Sequence, residues 1–148
     1  MSLSIDGQGF SSMHFAGIMG SGMSAIAQSL AWEGLVISGS DRIAFADEMK
    51  GTKGHLEQCG CNLFPQDGSG ITPATEALVI STAIEDDNPD IAAARKLGIP
   101  IFHRSDVLAA IVASHRTLAV CGISGKSTVA ALVFEILRAC GKGISQKS

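Results

Sequence analysis

Two short glycine-bearing stretches carry the chemistry this sequence could perform. The first is Gly17-Ile18-Met19-Gly20-Ser21-Gly22, lying between a short apolar run and a helical pattern. Glycines there let the backbone turn sharply and approach a ligand. The helix that follows offers unpaired N–H groups and a partial positive charge, which suit a pyrophosphate. Asp41 follows Gly17 by 24 residues, just past the next apolar run, where an acid can take ribose hydroxyls. The spacing is G-x-x-G-x-G, so Met19 stands at the middle glycine of the dinucleotide pattern G-x-G-x-x-G. A tight strand-to-helix turn packed on a sheet would use the same glycines, so this stretch alone decides nothing.

The second stretch is Gly122-Ile123-Ser124-Gly125-Lys126-Ser127-Thr128. A turn ending in Gly-Lys-Ser/Thr cradles phosphates with backbone N–H groups. Lys126 would reach the outer phosphates of a nucleotide, and the hydroxyl of Ser127 or Thr128 would help hold Mg²⁺. Val120 lies five positions before Gly125, so this is the shorter G-x-x-G-K-[ST] form rather than G-x₄-G-K-[ST]. A plain strand-to-helix turn is the competing reading.

The elements that must position these loops follow from periodicity. Met13–Ala16, Leu35–Ser38, Cys61–Phe64, Ala77–Ser81, Ile99–Phe102 and Leu118–Cys121 are short apolar runs closed by Gly, Pro or polar residues, as buried strands are. Between them, Met23, Ile26, Ala27, Leu30 and Ala31 form one face of a helix over 21–33 that Gly34 would end. A weaker helix is expected over 45–58. Asn88-Pro89 starts another that Gly98 closes. Residues 106–114 and 128–140 complete the helical set. Strands alternating with helices predict an α/β fold, a Rossmann-like doubly wound, mostly parallel sheet with helices on both faces.

Composition limits the function classes. The chain has 148 residues, 46% hydrophobic and 17% charged, with a net charge of −3, so no basic field draws nucleic acid or anionic lipid. No apolar run approaches the roughly 20 residues of a membrane span, and the N-terminus lacks a secretory pattern. Cys59-x-Cys61 lacks zinc-knuckle spacing, and the four cysteines read as reduced cytosolic thiols.

Taken together, four stretches resemble the Mur ligases of peptidoglycan synthesis, most closely the branch that joins L-alanine to UDP-N-acetylmuramate. His14 to Ser24 is similar to the family's H-[FV]-x-G-I-G-G-x-G-M-S, and Ser38-Gly39-Ser40-Asp41 to its S-G-S-D. Val79 to Ile84, followed by Asn88-Pro89, is similar to V-V-S-S-A-I…N-P, and Gly122 to Thr128 to G-T-H-G-K-T-T. The resemblance implies a cytoplasmic enzyme of three domains that phosphorylates a substrate carboxylate with ATP and Mg²⁺, giving an acyl phosphate that an amine attacks. It implies that Gly17, Gly20, Ser21, Gly22 and Met23 face the diphosphate of a UDP-sugar, with Asp41, Ser81, Thr82 and Ala83 lining the same pocket. It further implies that Gly122, Ser124, Gly125, Lys126, Ser127 and Thr128 hold ATP, with Ser127 on the magnesium.

The sequence departs from the family pattern at Met19, which would crowd the diphosphate, and at Ile123 and Ser124 in the second loop. Asp67 replaces a histidine after Phe64-Pro65-Gln66. These departures point to a diverged relative, with a different UDP-sugar or a peptide-recycling role like that of the murein-peptide ligases.

The expected organisation is a tag or disordered stretch over 1–11, a UDP-substrate domain over 12–114, and the opening strand, loop and helix of a truncated ATP-binding domain over 115–148. Such a piece would bind nucleotide without turning over, and the apolar face of its last helix would invite self-association. The alternatives are an NAD(P)-binding Rossmann module of an oxidoreductase or regulator, and a binding protein that has lost its ligase chemistry.

Overall fold

The computed structural model describes residues 2–43 and 50–141. The chain opens with strands β1 (Leu3–Ile5) and β2 (Gln8–Phe10), an antiparallel hairpin turned by Asp6 and Gly7 at φ 51° and 82°. Two residues in the left-handed region are what a two-residue hairpin loop demands, and Asp-Gly supplies them. Leu3, Ile5 and Phe10 are buried, and the Phe10 ring meets Phe102 edge-on at 5.1 Å. This corrects the expectation of a tag or disordered stretch over 1–11: its apolar residues alternate, and they have a core to enter.

The main sheet has five parallel strands, β3 (Ser12–Ala16), β4 (Val36–Ser40), β5 (Asn62–Phe64), β6 (Ala77–Ile80) and β7 (Ile101–His103), in the order β5-β4-β3-β6-β7. Between and after them run α1 (Ser21–Trp32), α2 (Lys50–Gln58), α3 (Pro89–Leu97), α4 (Arg104–Ser114) and α5 (Lys126–Ala139). The doubly wound α/β fold is therefore as expected. Residues 45–49 of the second expected helix lie outside the described residues.

Strand alternation divides the core into two layers. Met13, Phe15 and Val79 join Ile26, Leu30, Leu56, Val107 and the hairpin on one face, while Ala16 and Leu78 join Ile91 and Ala94 of α3 on the other. The first layer is the larger because it receives α1, α2, α4 and the hairpin.

Local signals set the ends of the elements. The Asn88 side chain accepts from Asp90 N–H at 2.9 Å, Pro89 follows as the first helical residue, and Gly98 closes α3 at φ 67°. Glu76, at the foot of β6, accepts from the N–H groups of Ser11 and Ser12 at 2.6 and 3.2 Å. It thereby ties the starts of β3 and β6 together.

The strand expected over 118–121 does not form. No strand among the described residues lies beside it, and an extended segment without a neighbour leaves its backbone groups to solvent. Leu118 is exposed, and α5 buries none of its residues.

Candidate anion-binding cleft

A cleft of about 380 Å³ opens where the winding reverses, between the C-terminal ends of β3 and β6. β3 leads to β4 and β5 on one side and β6 leads to β7 on the other. The loops above them diverge and leave room for a ligand. Gly17, Met19, Gly20, Ser21, Gly22, Met23 and Asp41 line one wall, with Ser81, Ala83, Ile84 and Arg104 across from them and Ile43 at the rim.

The glycine loop is held by hydrogen bonds along its first half. Gly17 and Ile18 N–H donate to the Ser40 carbonyl at 2.8 and 3.0 Å, and Met19 N–H donates to Asp41 Oδ2 at 2.9 Å. Gly17 takes φ 76°, a conformation glycine adopts without a steric penalty. Gly39 is required for a different reason. A Cβ there would lie 2.7 Å from Ile18 Cβ and 2.8 Å from the Phe15 carbonyl, so β4 and the loop touch only because that atom is absent.

The second half of the loop is open. Ser24 N–H is the first in α1 to be satisfied within the helix, on the Gly20 carbonyl at 2.8 Å. Gly20 is the N-cap and offers no side chain, and the first turn carries no acid. The N–H groups of Ser21, Gly22 and Met23 therefore have no acceptor among the described residues, and with the helix dipole they favour an anion. Arg104, the first residue of α4, reaches across so that a Cβ on Gly22 would overlap its Nη1. It has no carboxylate partner among the described residues.

Several expected site residues fall differently. Thr82 is exposed and does not line the cleft, whereas Ser81 and Ala83 do. Asp41 lines it, but its two oxygens accept from Met19 and Ile43 N–H, so it clamps the loop where a free ribose ligand was expected. Met19 is buried in the core beneath the cleft, and only its edge borders the floor. Asp67 is exposed and accepts from Ser69 N–H at 2.9 Å, and the Ser69 side chain, together with that N–H, holds its carboxyl below the usual range. Arg104 escaped the sequence reading because a lone arginine at a strand-to-helix junction has no motif around it.

The second loop stands apart from this cleft. Gly122, Ser124, Gly125, Lys126, Ser127 and Thr128 are all exposed, and Lys126 Nζ donates to the Gly122 carbonyl at 2.7 Å. Gly125 caps α5 in the left-handed conformation at φ 72°. The lysine side chain thus folds back over its own loop.

Residues 12–116 match the model of the Mur ligase family, catalytic domain. The chain belongs to the Mur ligase family. It is 41% identical to a UDP-N-acetylmuramate–L-alanine ligase of Microcystis aeruginosa, over 94% of this chain and 30% of that protein. It is 37% identical to the ligase of the same name from Paenarthrobacter aurescens, over 87% of this chain and 27% of that protein. Among solved structures, the UDP-N-acetylmuramate-alanine ligase of Thermotoga maritima superposes with a TM-score of 0.76 at 29% identity, covering 88% of this chain and 30% of that one. A murein peptide ligase from Psychrobacter arcticus shares the fold, with a TM-score of 0.77 at 23% identity over 88% of this chain and 27% of that one. This Mur ligase chain thus spans under a third of the length of these relatives.

Proposed function

We propose that the cleft binds the diphosphate of a UDP-linked sugar, and that residues 12–114 form the substrate-binding unit of an ATP-dependent ligase. The reaction is the joining of L-alanine, or a peptide, to UDP-N-acetylmuramate through an acyl phosphate. One observation carries this reading: three adjacent N–H groups face Arg104 across a cleft at the strand-order reversal, none of them with an acceptor and the arginine with no carboxylate partner among the described residues. Four positive partial or full charges converge there, and the one carboxylate among the described wall residues, Asp41, already accepts from the Met19 and Ile43 N–H groups. Membership of the Mur ligase family supports the same substrate class.

The second loop supports a role in ATP binding. Its donors fit the phosphates: backbone N–H groups around Gly122, Ser124 and Gly125, the Lys126 ammonium, and the Ser127 and Thr128 hydroxyls. For Mg²⁺ it offers one hydroxyl, from Ser127 or Thr128. No cluster of three His, Cys, Asp or Glu residues that could hold a metal occurs among the described residues. Magnesium would supply charge neutralisation on the transferred phosphate. No helix among the described residues is long and apolar enough to cross a membrane.

The NAD(P) reading loses its main support with Asp41, whose two oxygens are engaged by the backbone. Isothermal titration separates the readings. UDP should bind measurably at submillimolar concentration and NADH should not. Binding of NADH without binding of UDP would reverse the assignment.

A further inference from the structure

A buried polar cluster lies under the cleft, on the α3 face of the sheet. Asp90, fully buried at the start of α3, accepts from Gly68 N–H at 2.9 Å through Oδ1 and from the Ser40 hydroxyl through Oδ2. His14, also fully buried, shares a hydrogen bond with the Ser38 hydroxyl at 2.8 Å through Nδ1. Its Nε2 lies 3.9 Å from Asp90 Oδ2 and has no hydrogen-bond partner. One carboxylate thus joins α3, the loop after β5 and the end of β4.

Ser40 links this cluster to the cleft. Its hydroxyl points down to Asp90, while its carbonyl receives both Gly17 and Ile18 N–H from above. The next residue, Asp41, receives Met19 N–H. Residues 40 and 41 therefore hold three consecutive N–H groups of the loop, and this leaves those of Ser21, Gly22 and Met23 facing the cleft. A buried carboxylate is costly to keep, and burial pushes its proton affinity up, so its retention needs a structural return. The return visible here is a fixed Ser40.

We propose that Asp90 is a positioning residue for the anion-binding loop, setting its shape through the Ser40 hydroxyl without touching ligand. The proposal deepens the reading of the cleft as a diphosphate site and rests on it for its binding consequence. Its structural consequence stands separately. Losing the Asp90 carboxylate frees the Ser40 side chain, and the carbonyl that organises Gly17 and Ile18 is no longer held in one place.

The test uses Asp90→Ala, Asp90→Asn and Ser40→Ala in the 148-residue chain, with UDP as the probe. Asp90→Ala and Ser40→Ala should each weaken UDP binding about tenfold, a 1.4 kcal/mol loss. The double variant should be little worse than either, because both remove one connection. Asp90→Asn keeps an oxygen for Gly68 and an amide that donates to Ser40, and should restore binding to within about threefold. In ¹⁵N–¹H spectra without ligand, both alanine variants should shift the Gly17 and Ile18 amides, and the asparagine variant should return them. Ile91→Val, which trims the α3 core without touching Ser40, should move neither readout.

If the amides shift as described but the unaltered chain does not bind UDP, the positioning role stands and the diphosphate reading falls. Unmoved Gly17 and Ile18 amides in folded Ser40→Ala would overturn the proposal. So would an equal loss of binding in Ile91→Val. Ser40→Ala removes a single hydroxyl and carries the test if Asp90→Ala does not fold.

Discussion

Arg104→Ala is the sharpest perturbation of the cleft, because this side chain is the one full positive charge among the described residues of its walls. The guanidinium stands beside Gly22, over the first turn of α1, so a diphosphate on the Ser21, Gly22 and Met23 amides would lie within its reach. Two unit charges about 4 Å apart interact by about 4 kcal/mol at the effective dielectric of a protein surface, which is an upper bound. Arg104 is exposed, so solvent and side-chain entropy reduce that figure. A charge-assisted hydrogen bond contributes about 1.5–3 kcal/mol net, or about 10- to 150-fold in affinity. Titration calorimetry with UDP and with uridine separates this from a general disturbance. UDP should lose at least tenfold on Arg104→Ala, and uridine, which has no diphosphate, should be unaffected. Gly22→Ala should fall between, because its new methyl displaces the guanidinium while the helix tolerates alanine well. Equal losses for UDP and uridine, or no loss for either, would mean that Arg104 does not hold the diphosphate.

Three further outcomes follow from the packing. Burial lowers the His14 pKa from 6.5 to about 4, so between those values the unfolded chain binds the extra proton and stability falls as pH falls. From pH 6.5 to 5 the loss is at most about 2 kcal/mol, since buried Asp90, raised by its own burial, works in the opposite direction. Urea unfolding should show this slope, and it should flatten in His14→Gln; an unchanged slope would contradict the assignment. Gly39→Ala puts a methyl against the Ile18 side chain and the Phe15 carbonyl and should cost about 1–3 kcal/mol in the same assay, whereas a wild-type midpoint would mean the loop yields freely. Val129, Leu132 and Ile136 are exposed on α5, so light scattering should reveal concentration-dependent association that Leu132→Glu abolishes. Association that persists in Leu132→Glu would place the contact elsewhere.

The fold was legible wherever a residue's role is local. Asn88-Pro89 and Gly98 mark α3 because capping is settled within a few residues, and the glycine loop sits between β3 and α1 for the same reason. The hairpin over 3–10 carried its own signal, Asp6-Gly7 between alternating apolar residues, but short strands at a chain start resemble a tag. Leu118–Cys121 read as a strand from composition, and composition says nothing about whether a neighbour is there to pair with it. Asp41 was found by spacing, yet its use as a clamp depends on Met19 N–H coming within 2.9 Å, which only the folded loop determines. Arg104 and the Asp90–Ser40 contact were invisible for the same reason: they join residues far apart in sequence, and no local pattern records such a meeting.

Titration of the ¹⁵N-labelled chain with UDP, followed at each backbone amide, tests whether the cleft is a diphosphate site. Saturable shifts should centre on Ser21, Gly22 and Met23, with the Arg104 side-chain signals moving in step and Gly122–Thr128 unmoved. Shifts absent from the start of α1, or centred on the second loop, would contradict it.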